Sequence, residues 1–189
     1  MTELEHYINS YFGLSKEHVQ TITSFFHLTE LNKGNFFLKE GQVCNALSFH
    51  KSGLIRVYVN TDRKEITQWI STKGYFVTDL SGIIFNQPSK WNILALTDSQ
   101  LYSINKSDYN NLGHIIPQWH ELEKLFIARC FTLLEDRIFT LLSKTAEERY
   151  QLYFAQNPEL FNQVPLHYLA SMMGMTPETL SRLRKKIKF

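Results

Sequence analysis

Four glycines set in the dipeptides Lys33-Gly34, Glu40-Gly41, Ser52-Gly53 and Lys73-Gly74 cut the first half of this chain into short segments rich in Phe, Val, Ile and Tyr. Glycines at such spacing mark turns, and the apolar, β-branched and aromatic runs between them read as strands. In residues 54–60, Ile55, Val57 and Val59 alternate with Arg56, Tyr58 and Asn60, the period of a half-buried strand. Thr61-Asp62-Arg63-Lys64 is then a polar hairpin turn, and Ile66-Thr67-Gln68-Trp69-Ile70 resumes the alternation. Strand texture returns in residues 92–96 and 101–104. Many short strands joined by glycine turns predict a closed β-roll or barrel.

Helical patterning flanks this region. Residues 3–27 read as one or two short helices, with Ser15 as an N-cap ahead of Val19, Ile22, Phe25 and Phe26. After Tyr109 the strand signal stops, and residues 117–144 read as one long helix opened by Pro117, with Leu122, Phe126, Cys130, Leu133, Ile138 and Leu141 near heptad spacing. So long a stripe exceeds what one small roll can cover, which predicts self-association through it; the alternative is a helix lying wholly on its own domain. Residues 146–156 form a further helix, broken at Asn157-Pro158, and a compact helical end follows from Val164. The fold class expected is therefore α+β: a β-roll over residues 1–116, a central dimerisation helix over 117–144, and a helical domain over 145–189.

The last segment carries the chemistry. A short helix over residues 165–173 places the small Ala170 where a second helix would cross closely, and Gly174 permits a positive φ in the turn. Thr176 is a good N-cap and Pro177 a good first helical residue, so a new helix starts at a well-marked point. At about 100° per residue, Leu180, Leu183 and Ile187 fall on an inward stripe and Glu178, Ser181, Arg182 and Lys185 on the opposite side. That division suits a recognition helix: apolar residues hold it to its neighbour, hydrogen-bonding groups reach base edges, and cations reach phosphates. Charge agrees. The chain totals +2, while residues 176–189 hold five basic residues (Arg182, Arg184, Lys185, Lys186, Lys188) against Glu178, which is +4 and leaves −2 for the remainder. A solvated amphipathic helix with lysines near its C-terminus would also carry such charge; the conjunction with Ala170, Gly174 and the Thr-Pro start favours DNA recognition, with Thr176, Pro177, Glu178, Ser181, Arg182, Lys185 and Lys186 as the contact residues.

These features resemble the Crp/Fnr family of bacterial transcription regulators along nearly the whole chain. The run from Lys33-Gly34 through Leu47-Ser48-Phe49-His50 and Ser52-Gly53-Leu54-Ile55-Arg56-Val57-Tyr58 to Gly74-Tyr75-Phe76 is similar to the family's cyclic-nucleotide-binding β-roll, and Glu178-Thr179-Leu180-Ser181-Arg182 to the Glu-x-x-Ser-Arg of its recognition helix. The resemblance implies an effector-sensing domain, a homodimer through the central helix, double-stranded DNA and RNA polymerase as partners, and a cytoplasmic regulator.

Departures from the family pattern bear on the effector. The phosphate cassette of nucleotide-binding members uses Glu and an Arg-Ser pair, where this chain has Gly74-Tyr75-Phe76 and Pro88-Ser89-Lys90-Trp91; a lysine is a point charge and does not replace a bidentate fork. Leu122-Glu123 stands where those members place a Thr-Ser pair. The effector is therefore expected not to be cAMP, with Tyr58, Trp69, Ser89, Lys90 and Trp91 as candidate pocket residues. Two cysteines, Cys44 and Cys130, are too few for a four-thiolate iron–sulfur cluster or a disulfide framework. No cofactor or metal is expected, and a reducing compartment fits.

Three further expectations follow. With 43% hydrophobic and 14% aromatic residues among 189, the chain builds cores and is not disordered. The acidic start MTELEHYINSYF is no signal peptide, no apolar run reaches the length of a membrane span, and no strand-forming wing follows the last helix. The chain is not expected to be an enzyme: His120-Glu121 begins like a zinc-protease helix, but Lys124 stands where the second His belongs, and His50 and His167 read as packed or solvated. The competing function is a ligand-sensing or protein-interaction module that has lost DNA binding; such a loss would erode Glu178, Ser181 and Arg182, and all three are present.

Overall fold

A computed structural model describes residues 2–12 and 15–186. The chain begins with α1 (Glu3–Phe12), opened by Thr2 and Glu5 bonding each other's backbone amides, and α2 (Lys16–Thr23), whose first turn is capped by Ser15. Leu4, Ile8 and Phe12 form the buried side of α1, one turn apart.

Eight strands follow: β1 (His27–Leu31), β2 (Phe36–Leu38), β3 (Ala46–Ser52), β4 (Ile55–Asn60), β5 (Glu65–Ser71), β6 (Phe76–Val77), β7 (Asn92–Ala95) and β8 (Ser99–Asn105). They form two four-stranded sheets in the orders β1-β8-β3-β6 and β2-β7-β4-β5. In the first sheet β3 lies antiparallel to β8, from Ala46 opposite Asn105 to Ser52 opposite Gln100, with an irregularity near His50. Gly53, at φ 94°, makes the turn from β3 into β4. This is the predicted β-roll. Its core gathers Leu47, Phe49, Ile55, Ile93, Leu101 and Ile104, and Phe76 and Phe126 pack with ring centres 4.3 Å apart.

Several elements depart from the sequence expectation. Three helices were not anticipated: α3 (Leu80–Phe85), α4 (Lys106–Ile115) and α7 (Leu160–Gln163). The central helix α5 (Trp119–Ser143) starts two residues after Pro117, held at its beginning by Tyr109, whose hydroxyl donates to Glu123 at 2.7 Å. β4 is not half-buried by simple alternation, because Ile55, Arg56 and Tyr58 are all buried, Arg56 to 1% exposure.

The stripe expected along α5 divides. Leu122 and Phe126 are buried in the β-roll core, whereas Leu133 and Ile138 are exposed. The face left open is instead Phe131, Leu134, Ile138 and Leu142, exposed by 61, 47, 56 and 83%. Spacings of three and four along a helix describe either one broad stripe or two adjacent ones, and α5 carries two.

The remaining helices are α6 (Ala146–Gln156), α8 (Leu166–Met172) and α9 (Pro177–Lys186). Thr145 and Glu148 cap α6 reciprocally, and the amide and hydroxyl of Thr145 hold the Glu148 carboxyl below its ordinary range. The chain forms two compact units, residues 1–57 with 71–131, and residues 58–70 with 132–189. The boundary between the units falls inside α5, and residues 58–70 of the β4–β5 hairpin group with the C-terminal helices. Among the described residues no helix is long and apolar enough to cross a membrane.

Candidate nucleic-acid interface

The helical pair α8–α9 is built on small and apolar contacts. Ala170, Leu169, Met173 and Leu180 are fully buried and Leu183 nearly so, and Ala170 leaves room for α9 to cross closely. Ile187, expected to extend that inward stripe, lies outside the described residues. Between the helices, Gly174 takes φ 64°, and the amides of Met175 and Gly174 bond the carbonyls of Ala170 and Ser171. That is the Schellman end, which a residue with a Cβ adopts only under strain. Thr176 then accepts the Thr179 amide at 3.2 Å, and Pro177 opens α9.

The outward face is as expected from the sequence. Glu178, Arg182 and Lys185 are exposed, Ser181 is half-buried, and these four with Pro177 and Leu166 line one concavity of about 490 Å³. The Glu178 carboxyl is held below its ordinary range by its own backbone amide and the Thr176 hydroxyl, so at neutral pH it is ionised and only accepts. Lys186 is placed differently from its neighbours: its ammonium is paired with Glu147 at 2.9 Å on the side of α6.

Two arginines that the sequence reading did not single out hold this pair in place. Arg149 on α6 donates to the carbonyls of Met173 (2.8 Å) and Gly174 (3.3 Å) in the turn, and to those of Lys144 (2.6 Å) and Leu141 (3.3 Å) at the end of α5. One cation thus serves the carbonyl-rich ends of two helices, where a positive charge is favourable. Arg137 on α5 reaches the Met172 carbonyl at 3.4 Å and lies over the Trp69 ring at 5.0 Å. Burial pulls its guanidinium below the usual range, and a hydrogen bond with Tyr153 opposes that shift. No sequence signal separates an arginine that donates to helix ends from one that is merely solvated.

The candidate effector residues fall into different compact units: Tyr58 and Trp69 lie in the hairpin tip, and Ser89, Lys90 and Trp91 in the β-roll unit. Tyr58 is buried. The buried Ser89 hydroxyl accepts the Trp91 amide at 3.0 Å, and Lys90 lies over the Trp91 ring at 4.9 Å. Ser89 and Lys90 thus both engage Trp91. A residue missed from the sequence is Asp79, the N-cap of α3: one carboxylate oxygen accepts the Ser81 amide, and the other is buried with no hydrogen-bond partner among the described residues. Among the described residues no cluster of His, Cys, Asp and Glu could hold a metal ion.

The profile of the cyclic nucleotide-binding domain matches residues 28–114. In structure, the chain is similar to FixK2 from Bradyrhizobium japonicum at 18% identity, over 85% of this chain and 83% of that one, with a TM-score of 0.71. It is similar to a protein from Eubacterium rectale assigned to the Crp/Fnr regulators at 18% identity, over 96% and 87%, with a TM-score of 0.69. This is a protein of Crp/Fnr-like fold. The catabolite activator protein of Thermus thermophilus is likewise similar, at 21% identity over 95% of this chain and 85% of that one, with a TM-score of 0.58. No curated protein matches the sequence. The expected architecture of β-roll, long helix and C-terminal helices is therefore that of the Crp/Fnr-like fold.

Proposed function

We propose that this Crp/Fnr-like protein is a transcription regulator that binds duplex DNA as a homodimer, with α9 in the major groove. The observation that carries the reading is the polarity of α9: Leu180 and Leu183 are buried against α8 while Glu178, Arg182 and Lys185 stand exposed around one concavity. Arg182 offers a planar fork for the O6 and N7 of a guanine, ionised Glu178 an acceptor for a cytosine N4 group, and Lys185 a point charge for phosphate. Lys186, being paired with Glu147, contributes less than Lys185. The dimer rests on the open apolar face of α5.

The test is fluorescence anisotropy against a duplex selected from random sequence and its scrambled counterpart, at several salt concentrations. Arg182→Ala is expected to cost about 1–3 kcal/mol on the selected duplex and to relax the preference at one base pair of each half-site. Lys185→Ala is expected to weaken both duplexes alike and reduce the salt slope by about one unit per subunit. If Arg182→Ala leaves the ratio of the two affinities unchanged, α9 is not the reading element, and the module without DNA binding becomes the better account.

The effector, on this reading, is not a cyclic nucleotide. A cyclic phosphate calls for a guanidinium fork, whereas this chain offers Pro88 and Lys90, a Ser89 hydroxyl engaged with Trp91, and a buried Asp79 oxygen that wants a donor rather than an anion. Titration calorimetry with cAMP and cGMP should give no saturable heat in the micromolar range; saturable binding would overturn this part of the reading.

A further inference from the structure

Of the six residues around the concavity on the outer face of α9, Glu178, Ser181, Arg182 and Lys185 are polar, and Leu166 and Pro177 are not. Leu166 opens α8 and Pro177 opens α9, and each is half-buried, so apolar surface from the first turns of both helices stays open to the concavity. Neither side chain can donate or accept a hydrogen bond, and Pro177 also lacks an amide hydrogen. At about 100° per residue, Pro177 lies roughly 100° around α9 from Glu178 and roughly 140° from Arg182. The concavity therefore has an apolar part, set apart from the guanidinium and displaced towards the start of α9.

We propose that Leu166 and Pro177 form a seat for the C5-methyl group of one thymine in each half-site, and so add a thymine preference to the bases read by Glu178 and Arg182. The seat depends on α9 lying in the major groove, as proposed above. Thymine is the one base with an apolar group on its major-groove edge, whereas adenine, guanine and cytosine bring only donors and acceptors there. Against Leu166 and Pro177 such polar groups lose water and gain no partner, while a methyl group gains by leaving water. The same two side chains thus favour thymine and disfavour the other three bases. Successive Cα atoms lie about 3.8 Å apart and successive bases about 3.4 Å, which puts this thymine within about two base steps of the cytosine assigned to Glu178.

The test replaces each thymine of the selected duplex in turn by uracil, which pairs identically and lacks only the methyl group, and reads affinity by fluorescence anisotropy. At one position of each half-site, close to the cytosine assigned to Glu178, uracil should lower affinity about fourfold, the worth of burying one methyl group. At that position 5-methylcytosine should bind about fourfold tighter than cytosine. Pro177→Ala and Leu166→Ala should each shrink the ratio of thymine to uracil affinity, and the double variant should bring it to about one while keeping the guanine preference assigned to Arg182. Because the ratio is taken within each protein, a general loss of affinity does not mimic this result. A selected half-site with no thymine at that position, uracil that binds as well as thymine throughout, or a uracil penalty that survives the double variant would overturn the seat. If the parent does not tell the selected from the scrambled duplex, the DNA reading fails and the seat with it; if it does and uracil is neutral, the seat alone fails.

Discussion

His50 is a fully buried imidazole in β3, with Nδ1 3.0 Å from the Ser71 hydroxyl and Nε2 3.0 Å from the Ser52 carbonyl. A carbonyl only accepts, so the neutral ring carries its proton on Nε2 and accepts from Ser71 on Nδ1. Burial pushes its pKa from 6.5 down to about 4, against the opposing pull of the Ser52 carbonyl. The unfolded chain thus binds a proton between those two values that the folded chain refuses. The stability His50 contributes is complete above about pH 6.5 and is lost as the pH falls towards 4. Urea unfolding should lose on the order of 3 kcal/mol from this group between pH 7 and pH 4, and His50→Gln should lack that part of the loss. Identical pH profiles for the two proteins would contradict it. At the same scale, Thr176, Pro177, Glu178 and Arg182 were legible because capping chemistry and helix period fix their places within ten residues. Asp79, Arg56, Arg137 and Arg149 were not, since each acts on groups distant in sequence or hidden by burial, and neither period nor composition encodes that.

Among the elements, α5 was legible as a helix and misread as a surface. Its first half is covered by Phe12, Phe76 and Tyr109, so the buried positions follow the shape of the roll rather than a heptad. Past Phe131, the residues Phe131, Leu134, Ile138 and Leu142 recur at spacings of three and four and occupy about a quarter of the circumference at about 100° per residue. A contiguous apolar stripe of that kind marks an interaction surface, and a two-fold axis would set it against its own copy, each residue counted twice. Burying one such side chain is worth about 1.5–3 kcal/mol, so a charge there removes that gain in both subunits and adds a desolvation cost. Ile138→Glu should therefore raise the dimer dissociation constant at least a hundredfold in sedimentation equilibrium, with an unchanged far-ultraviolet circular dichroism spectrum. A dimer of undiminished strength would place self-association elsewhere. The helices α3, α4 and α7 went unread for a related reason: at four to ten residues each, their caps Asp79 and Asn105 resemble ordinary turn residues until the backbone is seen.

At the scale of the whole molecule, the proposed dimer and the proposed recognition helix together predict the form of the DNA site. Two chains joined along α5 by a two-fold axis, as proposed, would present two copies of α9 related by the same axis, so the duplex they would share is an inverted repeat. Both copies of α9 reach the major groove from one side only if the half-sites lie about one helical turn apart, about 34–36 Å. Insertion of five base pairs between half-sites of a selected duplex turns one half-site to the far side. The second α9 then loses its contacts, and affinity should fall to that of a single half-site. The Ile138→Glu chain, which presents one α9 at a time, should bind the original and the lengthened duplex equally and with a salt slope about half that of the parent, since each chain neutralises its own phosphates. Anisotropy titrations of both proteins on both duplexes make the comparison in one experiment. If the parent protein tolerates the insertion as well as the variant does, the two recognition helices do not act as a symmetric pair, and the α5 face serves some other partner.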